Sequence, residues 1–84
     1  MPTTSCAPAP SQAALRYQSV RSDKTYHLSL HPKDGGWVVD FEFGRTGSHL
    51  QTGTKTPAPV PYREALDIYE GVLREKLGKG YHAE

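Results

Sequence analysis

Residues 37–47, WVVDFEFGRTG, carry the pattern that decides the fold of this chain. Large apolar side chains occupy every second position at the start of the stretch, namely Trp37, Val39, Phe41 and Phe43. Between them stand Val38, Asp40 and Glu42. A period of two is typical of a β-strand with one buried side, so we expect the first set to face a core and the second to face water. Glycines at positions 44 and 47 then predict a tight turn that presents Arg45.

The same alternation continues before this stretch and weakens after it. Residues 25–31, TYHLSLH, alternate cleanly, and residues 15–20, LRYQSV, do so less regularly. Residues 48–56, SHLQTGTKT, are polar and rich in threonine, which favours a strand that is exposed or at a sheet edge. Proline and two glycines in residues 31–36, HPKDGG, predict a loop between the second and third strands. We therefore expect a four-stranded antiparallel meander.

The period changes after the stiff connector PAPVP at residues 57–61. Beyond it, side chains recur at helical spacing on one stripe, namely Ala65, Leu66, Tyr69, Val72, Leu73, Lys76 and Leu77. Acidic residues dominate the first half and basic residues the end, which suits the helix dipole, and Gly78 or Gly80 would end the helix. Gly71 in mid-helix would mark close packing on the sheet. The predicted fold is α+β, with one C-terminal amphipathic helix packed on one face of the sheet.

Length and composition indicate the domain organisation of the chain and its cellular setting. The 84 residues suit one small domain, and residues 1–12, which carry no charge and three prolines, predict a disordered tail before a domain over residues 13–84. Cys6 is the only cysteine, so no intramolecular disulfide forms. No apolar run approaches the ~20 residues of a membrane span, and no signal peptide is evident. We expect a cytoplasmic protein, monomeric and without membrane contact.

Three segments stand in a distinctive order along the chain. These are KTY at residues 24–26, FGRTG at residues 43–47, and the helix pattern EALDIY at residues 64–69, continued by Lys76, Gly80 and Tyr81. Together they resemble the WGR domain, a family named for a Trp-Gly-Arg motif and found in poly(ADP-ribose) polymerases and in bacterial proteins related to molybdate metabolism regulators. The resemblance spans roughly residues 14–82. Phe43 replaces the name-giving tryptophan, and Glu42 adds a negative charge beside the motif.

The resemblance implies a role for the turn. In polymerases with this domain the Trp-Gly-Arg segment lies against a DNA end, which implies that Phe43, Gly44 and Arg45 bind nucleic acid, with DNA favoured. A guanidinium offers phosphate a rigid fork of donors, and an aromatic ring can stack on a base. Three lysines would add phosphate contacts if the fold brings them to the turn, namely Lys24, Lys55 and Lys79.

Other interpretations of these residues stay open at this point. Phe43 can equally extend the inward apolar series as core, and Arg45 can pack over the sheet or pair with a carboxylate. Four residues are expected to be structural, namely Trp37, Tyr69, Lys76 and Tyr81. The net charge of +1 is compatible with a second class of function, an adaptor that binds a protein through Phe43 or the polar edge strand.

The pattern of reactive residues argues against catalysis. His27 and His31 would share a strand face about 13 Å apart, which is too far for one metal ion. No nucleophile, base and orienting group stand in a known arrangement, and no phosphate-binding glycine loop is present. We expect a non-enzymatic module with no cofactor, no metal and no small-molecule substrate.

Overall fold

The computed structural model describes residues 8–84, and Cys6 and most of the predicted tail lie outside that range. The elements follow one another as β1 (Ser11–Gln18), β2 (Asp23–Lys33), β3 (Gly36–Arg45), β4 (Gln51–Thr54), α1 (Tyr62–Gly78) and β5 (His82–Ala83). The first strand starts at Ser11, two residues inside the segment 1–12 that was expected to be disordered. Ser11 pairs with Leu30 and Gln12 with Ser29, so backbone hydrogen bonding orders these residues.

The strands form one antiparallel sheet in the order β4-β3-β2-β1-β5. The predicted α+β class, with an antiparallel sheet and one C-terminal helix, is confirmed. The expected four strands are five, because the chain leaves α1 and adds a short strand beside β1, where Leu15 pairs with Ala83 and Arg16 with His82. Strand β5 has only two residues, which are too few to show a periodic pattern, so it could not be predicted from the sequence.

The loop expected at residues 31–36 is a two-residue hairpin turn instead. Asp34 and Gly35 both have positive φ angles, 49° and 81°, as the tight Asp-Gly hairpin turn requires. Pro32 lies within β2, opposite Trp37. The partner strand β1 reaches only to Leu30, so no strand needs a backbone donor from Pro32 on that side.

The fourth strand covers Gln51–Thr54, shorter than the expected residues 48–56. Its end is set by Thr54 and Thr56, whose hydroxyl groups bond the backbone of Val39. The Thr54 hydroxyl donates to the Val39 carbonyl at 3.1 Å, and the Val39 N–H donates to the Thr56 hydroxyl at 3.1 Å. The chain therefore leaves the ladder here and returns at Val60, which exchanges two backbone hydrogen bonds with Trp37.

The core lies between α1 and one face of the sheet. Its buried members are Leu15, Tyr26, Leu28, Leu30, Val39, Ala65, Tyr69 and Val72. Trp37 is half-buried at its edge and meets the Tyr62 ring edge-on at 4.8 Å. Val38 was expected to face water, but it is 4% exposed on the other side of the sheet.

The helix buries most of the predicted stripe, but Leu77 at its end is 46% exposed. Gly71 was expected to mark close packing, yet a Cβ built on it meets nothing within 4 Å, so it faces outward. Pro61 precedes the helix and supplies no side-chain cap. Within residues 8–84, α1 is too short and too polar to cross a bilayer.

Candidate nucleic-acid interface

Strand register brings the predicted turn residues together with Lys24. Lys24 lies opposite Arg45, and Tyr26 lies opposite Phe43 in the next row on the same side of the sheet. This is the side that α1 covers, and it stays open beyond the C-terminal end of the helix. A groove of about 330 Å³ forms there, lined by Ser22, Asp23, Lys24, Phe43, Gly44, Arg45 and Tyr81.

Five aromatic rings, here called the aromatic cluster, extend from this groove toward the core. They are Tyr17, Tyr26, Phe41, Phe43 and Tyr81. Phe41 and Phe43 stack at 5.8 Å between ring centres, and Tyr26 stacks on Phe41 at 5.8 Å. Tyr81, which follows the helix, meets Tyr26 edge-on at 6.2 Å. The rings therefore form one continuous series of contacts that links the buried Tyr26 to the exposed Phe43.

Lysine amines lie over most of these rings. The Lys76 Nζ lies 4.6 Å from the Tyr26 ring centre and 5.7 Å from that of Tyr81. Lys55 lies 5.1 Å from the Phe41 ring, and Lys24 lies 5.7 Å from the Tyr17 ring. Such contacts hold a cation against the negative face of an aromatic ring. The aromatic cluster with Lys24, Arg45, Lys55, Lys76 and Lys79 is called the cation–aromatic face below.

Both burial and neighbouring charges act on Lys76. Burial lowers the pKa of Lys76, and the positive charges of Lys79, Lys55 and Lys24 lower it further, while Glu75 opposes them. Like charges shift a pKa in this way only when they are near. The three lysines that the sequence suggested as phosphate contacts thus all contribute positive charge near Lys76. Lys79 also lies 3.8 Å from the Glu75 carboxylate.

Phe43 lies at the rim of the core. It contacts Tyr26 and Phe41, but 39% of its surface is exposed. In the part of the chain that the structure describes, it is the ring of the aromatic cluster over which no lysine lies. Its outer side therefore stays accessible while its inner side packs.

The turn itself depends on two glycines. A Cβ at Gly44 would lie 3.1 Å from the Leu50 side chain, so the chain folds back closely over this position. Gly47 has a φ of 87°, in the left-handed region that disfavours other residues. Arg45 between them is exposed, and among residues 8–84 no carboxylate lies within ion-pair distance of it.

The residues that hold this turn are not evident from the sequence alone. The Asp23 carboxylate accepts two hydrogen bonds from Arg16, at 2.9 and 2.7 Å, and one from the Thr46 hydroxyl at 2.7 Å. The Arg16 guanidinium, helped by Thr46, holds the pKa of Asp23 well below its usual range. Arg16 in turn lies 3.6 Å from the Glu84 carboxylate. These contacts join four strand ends across the sheet, and no local motif announces them.

The opposite side of the sheet, here called the open face, has a different character. Its groove of about 850 Å³ is lined by apolar residues together with the polar residues Gln12, His27, Ser29, Asp40, Glu42, Thr52 and Thr54. Glu42 lies 3.5 Å from His27, and Asp40 lies 3.4 Å from His31. Because Glu42 points to this face, its charge is separated by the sheet from Arg45. Within residues 8–84 no three His, Cys, Asp or Glu side chains gather where a metal ion could bind.

The four residues expected to be structural all lie on the helix side. Tyr69 is buried in the core, Trp37 and Tyr81 pack against it, and Lys76 covers Tyr26. No known family model matches this chain, and neither does any curated protein or solved structure.

Proposed function

We propose that this chain is a non-enzymatic WGR-like module that binds nucleic acid, DNA by preference, through the Phe43-Gly44-Arg45 turn. The observation that supports it most is that the cation–aromatic face combines the exposed ring of Phe43 with five cations. Nucleic acids present aromatic bases joined by phosphates, and proteins bind them by combining ring stacking with a positive surface.

Arg45 and Lys24 are assigned to phosphate. Both are exposed on neighbouring strands, directly opposite each other, so one phosphate group can meet both side chains. The guanidinium offers paired donors, and the ammonium adds a point charge. Lys55 and Lys79 then extend the positive surface to either side.

Phe43 is assigned to a base. Most rings of the aromatic cluster already have an amine over one face, whereas Phe43 keeps its outer side free. A base in an intact duplex stacks on its neighbours, so only a terminal or unpaired base can reach this ring. This favours DNA ends and single strands over the interior of a duplex.

A salt-titrated binding measurement tests the proposal. Fluorescence anisotropy measures binding to a labelled single strand and to a labelled blunt duplex, and an unlabelled covalently closed circular duplex serves as competitor. These three DNAs compare unpaired, terminal and interior bases. We expect Arg45→Ala to reduce the slope of log affinity against log salt by about 0.7–0.9, the value for one phosphate contact. Lys33→Ala is the matched control, since Lys33 is also an exposed cation but lies beside the hairpin at the far end of β2.

The Phe43→Leu variant separates stacking from charge. It should weaken binding to the single strand and the blunt duplex by about tenfold while leaving the salt slope unchanged. If wild type binds none of the probes at about 50 mM salt, the proposal is wrong. If Arg45→Ala and Lys33→Ala behave alike, Arg45 is not the phosphate contact.

The second candidate is a protein-binding adaptor. Its support is the exposed Phe43 together with the outer edge of β4, which ends the sheet and carries no charge in its four residues Gln51–Thr54. An extended peptide could add to such an edge through backbone hydrogen bonds. The adaptor is favoured over nucleic-acid binding if wild type fails on all probes yet a peptide protects the β4 amides from hydrogen exchange.

A further inference from the structure

Asp23 and Thr46 are tied together twice. The Thr46 hydroxyl donates to the Asp23 carboxylate at 2.7 Å, and the Thr46 N–H donates to the Asp23 carbonyl at 2.8 Å. Arg16 holds the same carboxylate from the neighbouring strand with two more hydrogen bonds. Thr25 adds a hydroxyl contact to Thr46 at 2.9 Å. The end of the β2–β3 ladder is therefore fixed by side chains as well as by backbone.

These contacts lie at the edge of the candidate interface, because Asp23 also lines its groove. Asp23 and Thr46 are the sequence neighbours of Lys24 and Arg45, and adjacent side chains of a strand point to opposite faces. The Asp23–Thr46 bonds therefore join the chain at the back while Lys24 and Arg45 stand opposite each other at the front. A movement of this strand end would separate the two cations.

We propose that Asp23 is a positioning residue that holds Arg45 and Lys24 in place for phosphate. This inference rests on the proposed nucleic-acid binding. A carboxylate so close to an anion site would ordinarily weaken binding by repulsion, but Arg16 is bound to it and balances its charge. Because the turn is already fixed before binding, less conformational entropy is lost on binding than if Arg45 were mobile.

The first arm of the test needs no ligand. Thr46→Val removes the hydroxyl with little change of shape or charge, Thr46→Ser restores a hydroxyl, and Asp23→Asn weakens the acceptor. Amide hydrogen exchange should be about fivefold faster at Thr46 and Ser48 in Thr46→Val and Asp23→Asn, as the loss of one hydrogen bond predicts, and close to wild type in Thr46→Ser. Asp40→Asn is the control, because Asp40 is paired with His31 on the open face away from the turn.

The second arm uses the labelled single strand. Thr46→Val and Asp23→Asn should each weaken binding by about two- to tenfold, the ordering cost of one side chain, with recovery in Thr46→Ser. The direction of the affinity change in Asp23→Asn is decisive. If the Asp23 carboxylate only repelled the phosphates, its neutralisation would make binding tighter. Asp40→Asn should bind like wild type.

Two results would overturn the inference. One is unchanged exchange at Thr46 and Ser48 in both disruptive variants. The other is binding that is unchanged or tighter in Asp23→Asn while wild type binds well. Failure of wild type to bind any probe is a different result, since it refutes the proposed function and with it the role of Asp23 in binding.

Discussion

The two faces of the sheet treat their charged side chains in opposite ways. On the helix side, lysine amines lie over aromatic rings, as Lys76 does over Tyr26 and Lys55 over Phe41. On the open face, charges pair with each other, as Glu42 does with His27. Both faces are built from the same strands, because alternate residues of β2 and β3 point to opposite sides.

The comparison shows why the net charge of +1 conceals the distribution of charge in this domain. Alternation places Asp40 and Glu42 on one side of the sheet and Arg45 and Lys24 on the other. Near the turn, the helix side therefore carries Lys24 and Arg45, while Asp40 and Glu42 lie across the sheet. The local excess on the helix side, rather than the total, is what matters for a polyanion.

The largest expected difference between the faces concerns stability. Leu28 is 1% exposed in the core, whereas its neighbour Ser29 points to the open face and donates a long hydrogen bond of 3.4 Å. Leu28→Ala should lower the free energy of unfolding by about 2–5 kcal/mol, through lost burial and a residual cavity. Ser29→Ala should cost less than about 1 kcal/mol. Urea unfolding followed by tryptophan fluorescence measures both, and equal losses would contradict the assigned core.

Two glycine substitutions should differ in sign. A Cβ at Gly53 would lie 2.5 Å from the Phe41 ring, which is itself stacked between Tyr26 and Phe43, so Gly53→Ala must displace the ring. We expect a loss of about 1–3 kcal/mol in the free energy of unfolding. Gly71→Ala should instead raise it by up to about 1 kcal/mol, because the site is open and alanine favours a helix. Thermal unfolding of both variants tests these two signs. Destabilisation by Gly71→Ala would show that a side chain at this position clashes with its neighbours.

A smaller effect should distinguish two lysines at the end of the helix. Lys76→Met keeps the apolar stem but removes the amine from the Tyr26 and Tyr81 rings, a loss of about 0.5–2 kcal/mol. Relief of the burial and like-charge repulsion that lower the Lys76 pKa offsets part of this loss, so we expect a net decrease of about 1 kcal/mol or less in the free energy of unfolding. Lys79→Met, the control, loses an exposed contact with Glu75 and should cost less than about 0.5 kcal/mol. If the two variants unfold at the same urea concentration, the amine contributes little through the rings.

The contribution of Asp23 to stability should depend on pH. Since Arg16 and Thr46 lower the pKa of Asp23 in the folded state, its contribution to stability is complete above the unfolded pKa of about 3.9. It is lost as pH falls below that value toward the lower folded pKa. The stability difference between wild type and Asp23→Asn should therefore be constant above about pH 5 and shrink below about pH 4. Urea unfolding from pH 3 to 7 checks this, and a difference that did not vary with pH would argue against the ion pair.

Much of this fold was readable in the sequence because its signals are local. The alternation of residues 25–31 and 37–43 predicted two adjacent strands, and the stripe from Ala65 to Leu77 predicted the helix. The errors arose where neighbours overrode a local signal. Pro32 suggested a loop but lies where no partner strand needs its donor, and Val38 followed the outward pattern yet is buried.

The candidate site likewise has a part that the sequence predicted and a part that it did not. The turn and its arginine were evident from FGRTG, since two glycines that bracket a short polar segment after a strand are typical of a tight turn. Asp23 could not be found, because its partners lie 7 and 23 residues away along the chain and meet only across the sheet. Pairings of that kind have no signature in a single sequence.

The sequence by itself determined which side chains share a face and where the chain turns, because both follow from residue-by-residue geometry of the backbone. Only the tertiary structure decided that the end of α1 would bring Lys76 over Tyr26, that Tyr81 would join the aromatic cluster, and that Asp23 would secure the turn. These contacts depend on how elements far apart in the chain are packed. The cation–aromatic face is therefore a product of packing, whereas the turn at its centre is a product of sequence.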